Sequence, residues 1–311
     1  MTTTRRRRMV GRAAALTAGI VADRIFGDPV RHHPVAWFGT AADRLEKRMW
    51  ADSKPRGAAY AAVLVGVPTI AAAVVARRFP NVALAAVTWA SLGGTTLART
   101  GERMADRLEA EDLAASRELV PWLCSRDPAR LDLDGVARAT VESLSENTSD
   151  AVSGTLLWGA VFGAPGVVAH RCGNTLDAMV GYRTEKWRNF GWASAKFDDV
   201  INWVPARLTG VATVIAGPDR AGAWRAWRED APGHPSPNAG VPEATAAGAL
   251  GVRLGGATAY EGGVEERAVL GRGDSPTVAD VRRAVTLTRR VQDITAAMCV
   301  GGLLAAACAS R

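Results

Sequence analysis

The sequence predicts a mainly α-helical, polytopic membrane protein, and two observations carry this prediction. Uncharged stretches about as long as a membrane is thick alternate with loops crowded with Arg, Asp and Glu, although the overall hydrophobic content of 48% is ordinary. A run of four arginines, 5–8, stands directly before the apolar segment 9–22, and such basic residues are retained on the cytoplasmic side of a membrane. We expect one domain, 1–311, with four or five membrane segments.

Composition also limits the partners of the chain. Its net charge of +7 is compatible with nucleic acid, anionic lipid or small anions. We expect membrane lipid and no nucleic acid, because aromatic residues are not interleaved with basic ones and no zinc-finger spacing is present. The first apolar segment is followed by Asp23-Arg24, whereas a cleavable signal peptide would have a small-residue cleavage site there. The sequence therefore disfavours a signal peptide. Four cysteines without a C-x-x-C pair disfavour a disulfide framework or structural zinc.

The clearest membrane segments are 57–76 and 79–98, each with twenty uncharged residues. At a rise of ~1.5 Å per residue, each is long enough to cross a hydrocarbon layer of ~30 Å. Only Arg77 and Arg78 separate them, so 57–98 is predicted to form a helical hairpin. The alternative is a pair of buried helices in a soluble all-α protein. Other apolar stretches are 151–169, 294–310 and the shorter 208–217.

Two polar regions lie between the apolar ones. Region 99–150 has Glu, Asp, Arg and Leu at helical spacing and predicts amphipathic helices. Region 218–275 is rich in Gly and Pro and predicts an extended polar loop region. A loop of this length is unusual unless it has a function.

Three carboxylates precede the stretch 151–169. Glu142, Glu146 and Asp150 fall at i, i+4 and i+8, so on an α-helix they share one face. Like charges in this arrangement repel one another unless a cation lies among them, and Mg²⁺ favours such oxygen ligands together with substrate phosphates. The alternative is a solvated acidic face.

A charged segment follows within the predicted core motif region, 140–210. Its acidic and amide residues share helical faces, and its cations are suited to holding phosphate oxygens. Charged residues near membrane segments are a functional site by default. The residues are Asn174, Asp177, Arg183, Lys186, Arg188, Asp198, Asp199, Asn202 and Arg207.

The third candidate is the stretch from His234 to Gly240, HPSPNAG. Its two prolines fix the backbone while Asn238 and Gly240 permit tight turns, so the loop is predicted to be stiff. His234 has the chemistry to exchange protons near neutral pH, although a single histidine in such a turn is more often structural.

Taken together and in order, four stretches resemble the CobD/CbiB family of cobalamin biosynthesis proteins, the adenosylcobinamide-phosphate synthases. The likeness covers most of the chain, and Ala151, Gly154 and Val241 are small departures from the family pattern. The four stretches are GDPVRHHPVAWFG, ESLSENTSDAVSG, NTLDAMVGYRTEKWRNFGWASAKFDDVINWVPARLTG and HPSPNAGVPEATAAGALGVRLGG.

The resemblance implies a multi-pass protein of the inner membrane, with its active site towards the cytoplasm. It also implies the ATP- and Mg²⁺-dependent condensation of adenosylcobyric acid with (R)-1-aminopropan-2-ol or its O-phosphate. Association with other corrinoid-pathway enzymes is a further expectation. From chemistry and resemblance combined, we expect metal ligation by Glu142, Glu146, Asp150 and Asp199, catalysis by Glu142, Glu146, Asp177, Asp198 and His234, and cofactor or substrate binding by Asn147, Asn174, Arg183, Lys186, Arg207 and Asn238.

Three other functions compete with this one. A transporter of a corrinoid or cation predicts charges at mid-membrane depth and two related halves, but no internal repeat is visible. A membrane phosphotransferase predicts an acidic array of the D-x-x-D-G type, which is missing. A scaffold for other corrinoid enzymes does not require so many clustered acids, bases and stiff turns.

Overall fold

The computed structural model of the chain is mainly α-helical, as predicted, and it describes residues 2–29, 33–260 and 263–310, apart from the side chains of Thr2 and of 257–265. Part of the GDPVRHHPVAWFG motif, including His32, lies outside the described residues. The helices and strands are α1 Thr2–Phe26, α2 Pro34–Met49, α3 Lys54–Arg78, α4 Pro80–Leu92, α5 Gly94–Glu109, α6 Leu113–Leu119, α7 Leu133–Asn147, α8 Gly154–Phe162, α9 Ala164–Val180, α10 Trp192–Ile201, α11 Trp203–Ala216, α12 Arg220–Glu229, α13 Gly240–Leu250, β1 Leu254–Tyr260, β2 Gly263–Leu270 and α14 Val278–Ala309. A π-helical segment, Thr148–Ser153, joins α7 to α8.

The chain divides into two compact units, each assembled from separate stretches of sequence. Unit 1 comprises Met1–Gly93, Gly154–Asn202 and Ala296–Arg311, and unit 2 comprises Gly94–Ser153 and Trp203–Thr295. The assignment of 1–311 to a single domain stays a prediction.

Unit 1 is held together by helix packing around two aromatic side chains. Helix α9 packs on α3, α4, α8 and α10, and α1 packs on α4. Tyr60 and Phe190 are fully buried, with ring centroids 5.0 Å apart, and the Tyr60 hydroxyl donates to the Ala42 carbonyl at 3.1 Å. This core joins α2 and α3 to the segment that precedes α10.

The core of unit 2 includes a helix, α13, that consists mostly of small residues. Helix α13 packs on α11 and α12, and all eleven of its residues are buried. Alanines and glycines let these helices approach closely, which is why the run from Gly240 to Leu250 folds as a buried helix. Region 218–275 was predicted as an extended loop, and that prediction was wrong, because α12, α13 and the antiparallel β1–β2 hairpin lie within it. The Asp219 side chain starts α12 by accepting from the Gly222 N–H at 2.7 Å.

Two of the predicted apolar segments are not single helices. Gly93 and Gly163 have positive φ angles of 60° and 72° and end α4 and α8, a backbone conformation that glycine adopts without steric strain. The predicted helix over 79–98 therefore stops at Leu92, and 151–169 is divided between the π-helical segment, α8 and α9.

Among the described helices, α3 and α14 are long and apolar enough to cross a membrane, judged by length and composition. Only 17% of the most apolar window of α3 is buried. Val67 and Ile70 are 62% and 65% exposed, unlike the side chains of a core helix. The first arm of the predicted hairpin is thus one long helix, while the total of four or five membrane segments stays a prediction.

Two glycines of α3 provide a matched test of this packing. A Cβ atom at Gly57 would overlap the carbonyl of Phe190, whereas one at Gly66 would meet nothing within 4 Å. We expect Gly57→Ala to lower the free energy of unfolding by about 1–3 kcal/mol, because the backbone must move. Gly66→Ala should be neutral or stabilising by up to about 1 kcal/mol. Thermal unfolding in detergent measures both, and equal melting temperatures for the two variants would contradict the packing described for α3.

Candidate active site

A buried carboxylate, Glu142, lies at the centre of a charged cluster in unit 2. The side chain projects from α7, is 2% exposed and pairs with Arg126, which is 5% exposed. Its Oε1 atom accepts from the Gly255 N–H of β1 at 2.7 Å, and Arg267 Nη1 of β2 lies 3.7 Å from its Oε2. A carboxylate so deeply buried requires partners of this kind to remain charged.

Glu243, on α13, is the second buried acid of this cluster. It is 0% exposed, and its Oε1 accepts from Arg267 Nη2 at 3.2 Å. Burial raises the pKa of Glu243 well above its usual value, and the Glu142 and Glu146 carboxylates raise it further against the opposing effect of Arg267 and Arg126. Burial also raises the pKa of Glu146, with the same arginines opposing. Arg126, Glu142, Glu146, His234, Glu243 and Arg267 are called the acid–arginine cluster below.

His234 contacts Arg267, one of the two arginines of this cluster. Its Nε2 atom is hydrogen-bonded to Arg267 and lies 3.7 Å from Glu243 Oε1. Because a guanidinium only donates, Nε2 is the unprotonated nitrogen and the proton of the neutral ring lies on Nδ1. Nδ1 is 3.2 Å from the Ser236 carbonyl and 3.1 Å from the Ser236 nitrogen, and with its proton in place only the carbonyl can be its partner. Burial and Arg267 lower the pKa of His234 to about 4. This geometry favours a positioning part for His234, and its catalytic role stays a prediction.

The hydrogen bonds described for the other predicted residues of unit 2 run to different partners. Asn147 Nδ2 donates to the Leu123 carbonyl at 3.0 Å. Arg207 Nη1 donates to the Pro237 carbonyl at 2.9 Å and to Asn238 Oδ1 at 3.2 Å, so these two predicted binding residues do meet. The regular α-helix ends at Asn147, and Asp150 lies in the π-helical segment. The predicted α-helical face therefore extends over Glu142 and Glu146 but not to Asp150.

A second polar cluster lies in unit 1, between α9 and α10. Asp198 Oδ1 accepts from Asn202 Nδ2 at 2.7 Å and from Asn174 Nδ2 at 3.4 Å. Burial and the neighbouring Asp177 carboxylate raise the pKa of Asp198 to about 7, and the two amide hydrogen bonds oppose the rise. His170 Nε2 lies 2.7 Å from Asn202 Oδ1. Helical spacing predicts that Asn174 and Asp177 share a face and that Asp198 and Asn202 do, and the packing of α9 on α10 brings the two faces together. These four residues with His170 are called the aspartate–amide cluster.

The remaining predicted residues of unit 1 are more exposed. Asp199 pairs with Lys196 at 2.8 Å, on α10 itself. Lys186 lies 3.5 Å from Glu46 and 3.9 Å from the centre of the Trp187 ring. Arg183 is exposed in the turn between α9 and α10. These cations are accessible to a ligand but are not part of the aspartate–amide cluster's hydrogen bonds.

The predicted metal ligands do not form a metal site in this arrangement. Within the described ranges, no group of three or more His, Cys, Asp or Glu side chains is placed to hold a metal ion. Glu142 uses one oxygen for the Gly255 N–H and the other for Arg126, so arginine charge stands where a cation was expected. These side chains do not fit a Mg²⁺ site as they are placed, and metal ligation by Glu142, Glu146, Asp150 and Asp199 stays a prediction.

Sequence reasoning missed four residues of the two clusters. Arg126 and Arg267 had no motif to mark them, because their partners lie on other elements of unit 2. Glu243 stood in the quoted family stretch HPSPNAGVPE but was not assigned a role. His170 directly follows the apolar stretch 151–169. Its spacing of four residues from Asn174 could have predicted that the two share a helical face.

The chain is similar to known proteins over most of its length. A family model described as CobD/Cbib protein matches residues 16–288. The "Cobalamin biosynthesis protein CobD" of Mycobacterium tuberculosis (strain ATCC 25618 / H37Rv) is 50% identical over 297 residues, covering 93% of this chain and 95% of the relative. The protein of that name from Chromobacterium violaceum is 42% identical, covering 92% and 95%. The one from Rhodobacter capsulatus is 40% identical, covering 83% and 85%. No solved structure matches the chain.

The fold and the two clusters define a mainly helical protein with long apolar helices and buried ionisable side chains. The family match spans parts of both units, and the relatives are aligned over nearly their whole length. The chain belongs to the CobD/CbiB family.

The raised pKa of Glu243 gives a prediction for stability. Above the ordinary pKa of 4.5 the folded protein keeps a proton that the unfolded chain releases, so this group's contribution to stability is lost as pH rises through the folded pKa. Glu243→Gln keeps a neutral side chain and removes this loss. We expect the variant to gain stability relative to wild type as pH rises above the ordinary pKa of 4.5, by up to about 1.4 kcal/mol per pH unit.

Thermal unfolding across this pH range measures the difference. Glu229→Gln is the control, because Glu229 is an exposed carboxylate paired with Arg272. The pH dependence of the Glu243→Gln offset should exceed that of this control. An offset for Glu243→Gln that depends on pH no more steeply than the control's would contradict the raised pKa of Glu243.

Proposed function

We propose that this chain is an enzyme of cobalamin biosynthesis that joins (R)-1-aminopropan-2-ol, or its O-phosphate, to a carboxylate of adenosylcobyric acid at the expense of ATP. The observation that carries the proposal is membership of the CobD/CbiB family over residues 16–288. Curated relatives at 40–50% identity are named cobalamin biosynthesis proteins, which supports the pathway. The clusters of buried acids and amides supply groups that amide ligation needs.

The chemistry proceeds in two displacements. A corrin carboxylate oxygen attacks the γ-phosphorus of ATP, ADP leaves, and an acyl phosphate results. The amine nitrogen then attacks the acyl carbon, the bond to the phosphate oxygen breaks, and phosphate departs with the electron pair. The nitrogen loses a proton in this step, so a base must lie beside the amine.

The aspartate–amide cluster of unit 1 suits the amine. Asp177 and Asp198 are neighbouring carboxylates, and the described hydrogen bonds to Asp198 come from the uncharged amides of Asn174 and Asn202. An ammonium group would relieve the repulsion between the two acids. In this proposal Asp198 binds the amine and accepts its proton as the amide bond forms.

Phosphate binding falls to accessible cations. The described bonds of Arg207 use Nη1, and a guanidinium carries five N–H donors, so donors are available for a nucleotide phosphate. Arg183 and Lys186 are exposed and suit the phosphate or the propionate groups of the corrin. ATP reacts as its magnesium salt in this proposal, and no step is assigned to side-chain ligands of the ion. Asn147 and Asn238 remain proposed substrate-binding residues.

The ligation itself is tested with purified protein in detergent. Incubation with adenosylcobyric acid, Mg-ATP and each form of the amine should give an amide product, detected by mass, and phosphate release that depends on both organic substrates. Asp198→Asn should lower kcat/KM for the amine by about a hundredfold, because it removes the proposed base. Asp43→Asn is the control, since Asp43 is an exposed acid paired with Lys47 and should leave turnover unchanged.

Two results would contradict this proposal. A rate of ATP hydrolysis that does not depend on the corrinoid would contradict ligation. Uptake of the corrinoid into vesicles without formation of an amide would indicate a transporter instead. Full turnover by Asp198→Asn would remove that side chain from the reaction.

We further propose a multi-pass location in the inner membrane, with the catalytic groups towards the cytoplasm. The support is the apolar surface of α3 and the basic run at 5–8 before the first apolar segment. Association with other corrinoid-pathway enzymes is part of the same proposal, because a large product must pass to the next step.

An arginine placed on α3 tests the membrane location. Ile70 and Val269 are both exposed apolar residues, at 65% and 53%, but Ile70 lies on α3 and Val269 on β2. If α3 faces lipid, Ile70→Arg should disfavour insertion by about 2.5–3.5 kcal/mol and reduce the membrane-bound yield. Val269→Arg should have little effect. Carbonate extraction followed by immunoblotting measures both, and equal tolerance would argue that α3 faces water.

A further inference from the structure

The aspartate–amide cluster contains a histidine to which the proposed reaction assigns no part. His170 lies on α9, is 1% exposed and belongs to unit 1. His170, Asn174 and Asp177 fall at i, i+4 and i+7, so they form one stripe along α9. Asp198 lies on α10 and Asn202 caps the C-terminus of that helix, and both side chains face this stripe. A continuous line of polar side chains thus runs between two helices.

The hydrogen bonds fix the direction of this line. A carboxylate oxygen only accepts, so Asn202 must turn its NH₂ group towards Asp198 Oδ1, 2.7 Å away. Its own Oδ1 then faces His170 Nε2, also at 2.7 Å, and the imidazole donates. Burial lowers the pKa of His170 to about 4, so the ring is neutral and its proton lies on Nε2. Reversing the Asn202 amide would place two acceptors against each other at Asp198.

The position of His170 is itself enforced by packing. A Cβ atom at Gly154, at the start of α8, would overlap the imidazole ring, so the ring occupies the space that a larger residue there would fill. Gly154 is one of the three departures from the family pattern. Among the described residues, His170 Nδ1 has no hydrogen-bond partner, so Nε2 provides the ring's described polar contact.

We infer that His170 is a positioning residue, which acts through Asn202 to orient the Asp198 carboxylate towards the amine substrate. This inference rests on the proposed ligase function. Asn202 holds Oδ1 of Asp198 only while its own carbonyl oxygen is held by the imidazole. Without that bond, the Asn202 amide is free to rotate and Asp198 loses its fixed direction. The effect should appear in binding of the amine and not of ATP or the corrinoid.

The groups around the Asp198 carboxylate include other carboxylates as well as the amides that bond to it. Facing Asp198 are Asp177 of α9 and Asp199 of its own helix, and Asp199 is paired with Lys196. Helix α3 also packs on α10, but the ammonium of Lys54 lies over the Trp192 ring at 5.4 Å. The described hydrogen bonds to the Asp198 carboxylate come from Asn202 and Asn174, and His170 holds Asn202 from behind, with the Arg171 charge also close enough to act on His170.

Two substitutions at the same position separate hydrogen bonding from packing. His170→Leu removes the donor, whereas His170→Gln retains an N–H donor near the place of Nε2. We expect His170→Leu to raise KM for the amine about tenfold, the effect of losing one buried hydrogen bond, with KM for ATP and for adenosylcobyric acid unchanged. His170→Gln should restore most of the loss. Leu176→Ala, a buried change on the same helix, should lower thermal stability without altering KM for the amine.

A double variant tests whether His170 acts through Asn202. If it does, His170→Leu combined with Asn202→Ala should raise KM for the amine no further than Asn202→Ala alone. Additive effects, or equal changes in all three KM values, would overturn the inference and leave His170 a packing residue.

An infrared measurement keeps this inference separate from the proposed reaction. The difference spectrum between wild type and Asp198→Asn identifies the Asp198 carboxyl band without any substrate. His170→Leu should shift that band as Asn202→Ala does, and His170→Gln should not. An unshifted band overturns the positioning role whether or not ligation is observed. A shifted band without an amide product in the wild type would instead overturn the proposed function and, with it, the amine as the group towards which Asp198 is oriented.

Discussion

The burial of Glu142 is the constraint on which unit 2 is organised. A carboxylate at 2% exposure is strongly destabilising unless opposite charge and hydrogen bonds replace its water. Arg126 supplies the charge and the Gly255 N–H supplies a bond, so the turn before α7 and strand β1 are both fixed to one side chain. Arg267 then brings in β2 and, through Glu243, helix α13. Four separate parts of the chain thus converge because one acid must be neutralised.

Unit 1 meets a similar problem in a different way. Asp198 receives its described hydrogen bonds from Asn202 and Asn174, which are neutral, and it has Asp177 as a neighbour. Amides satisfy the lone pairs of a carboxylate without cancelling its charge, whereas the arginines of unit 2 do both. The described partners of the buried acid are thus amides in unit 1 and arginines in unit 2. The proposed reaction assigns the amine to unit 1 because of this difference.

The sequence predicted features that depend on local pattern and missed those that depend on packing. Helix α3 was predicted because twenty uncharged residues leave little alternative to a long apolar helix. The second arm was overextended because the effect of Gly93, a single left-handed residue, does not alter hydropathy. Glu142, Asp177 and Asp198 were predicted as site residues from helical spacing, and the structure shows that Glu142 and Asp198 lie in buried polar clusters. Arg126 was missed because its partner is sixteen residues away on another element, and no periodicity links the two.

The loop prediction for 218–275 failed for a related reason. Glycine and proline usually mark turns, but in α13 the glycines lie among alanines and permit close approach to α12. Helix α13 is buried along its whole length and carries one ionisable side chain, Glu243.

Glu243 is informative because helix packing does not require an ionisable side chain at this position. An apolar residue of similar volume would often be neutral or stabilising at such a position, and a buried acid is weak evidence for stability. Glu243 instead holds Arg267, which in turn contacts Glu142 and His234. A helix made of small residues can bring such a side chain into the interior without leaving a cavity. The small residues of α13 and the charges beside it are therefore parts of one arrangement, in which close helix packing positions ionisable groups that packing alone does not require.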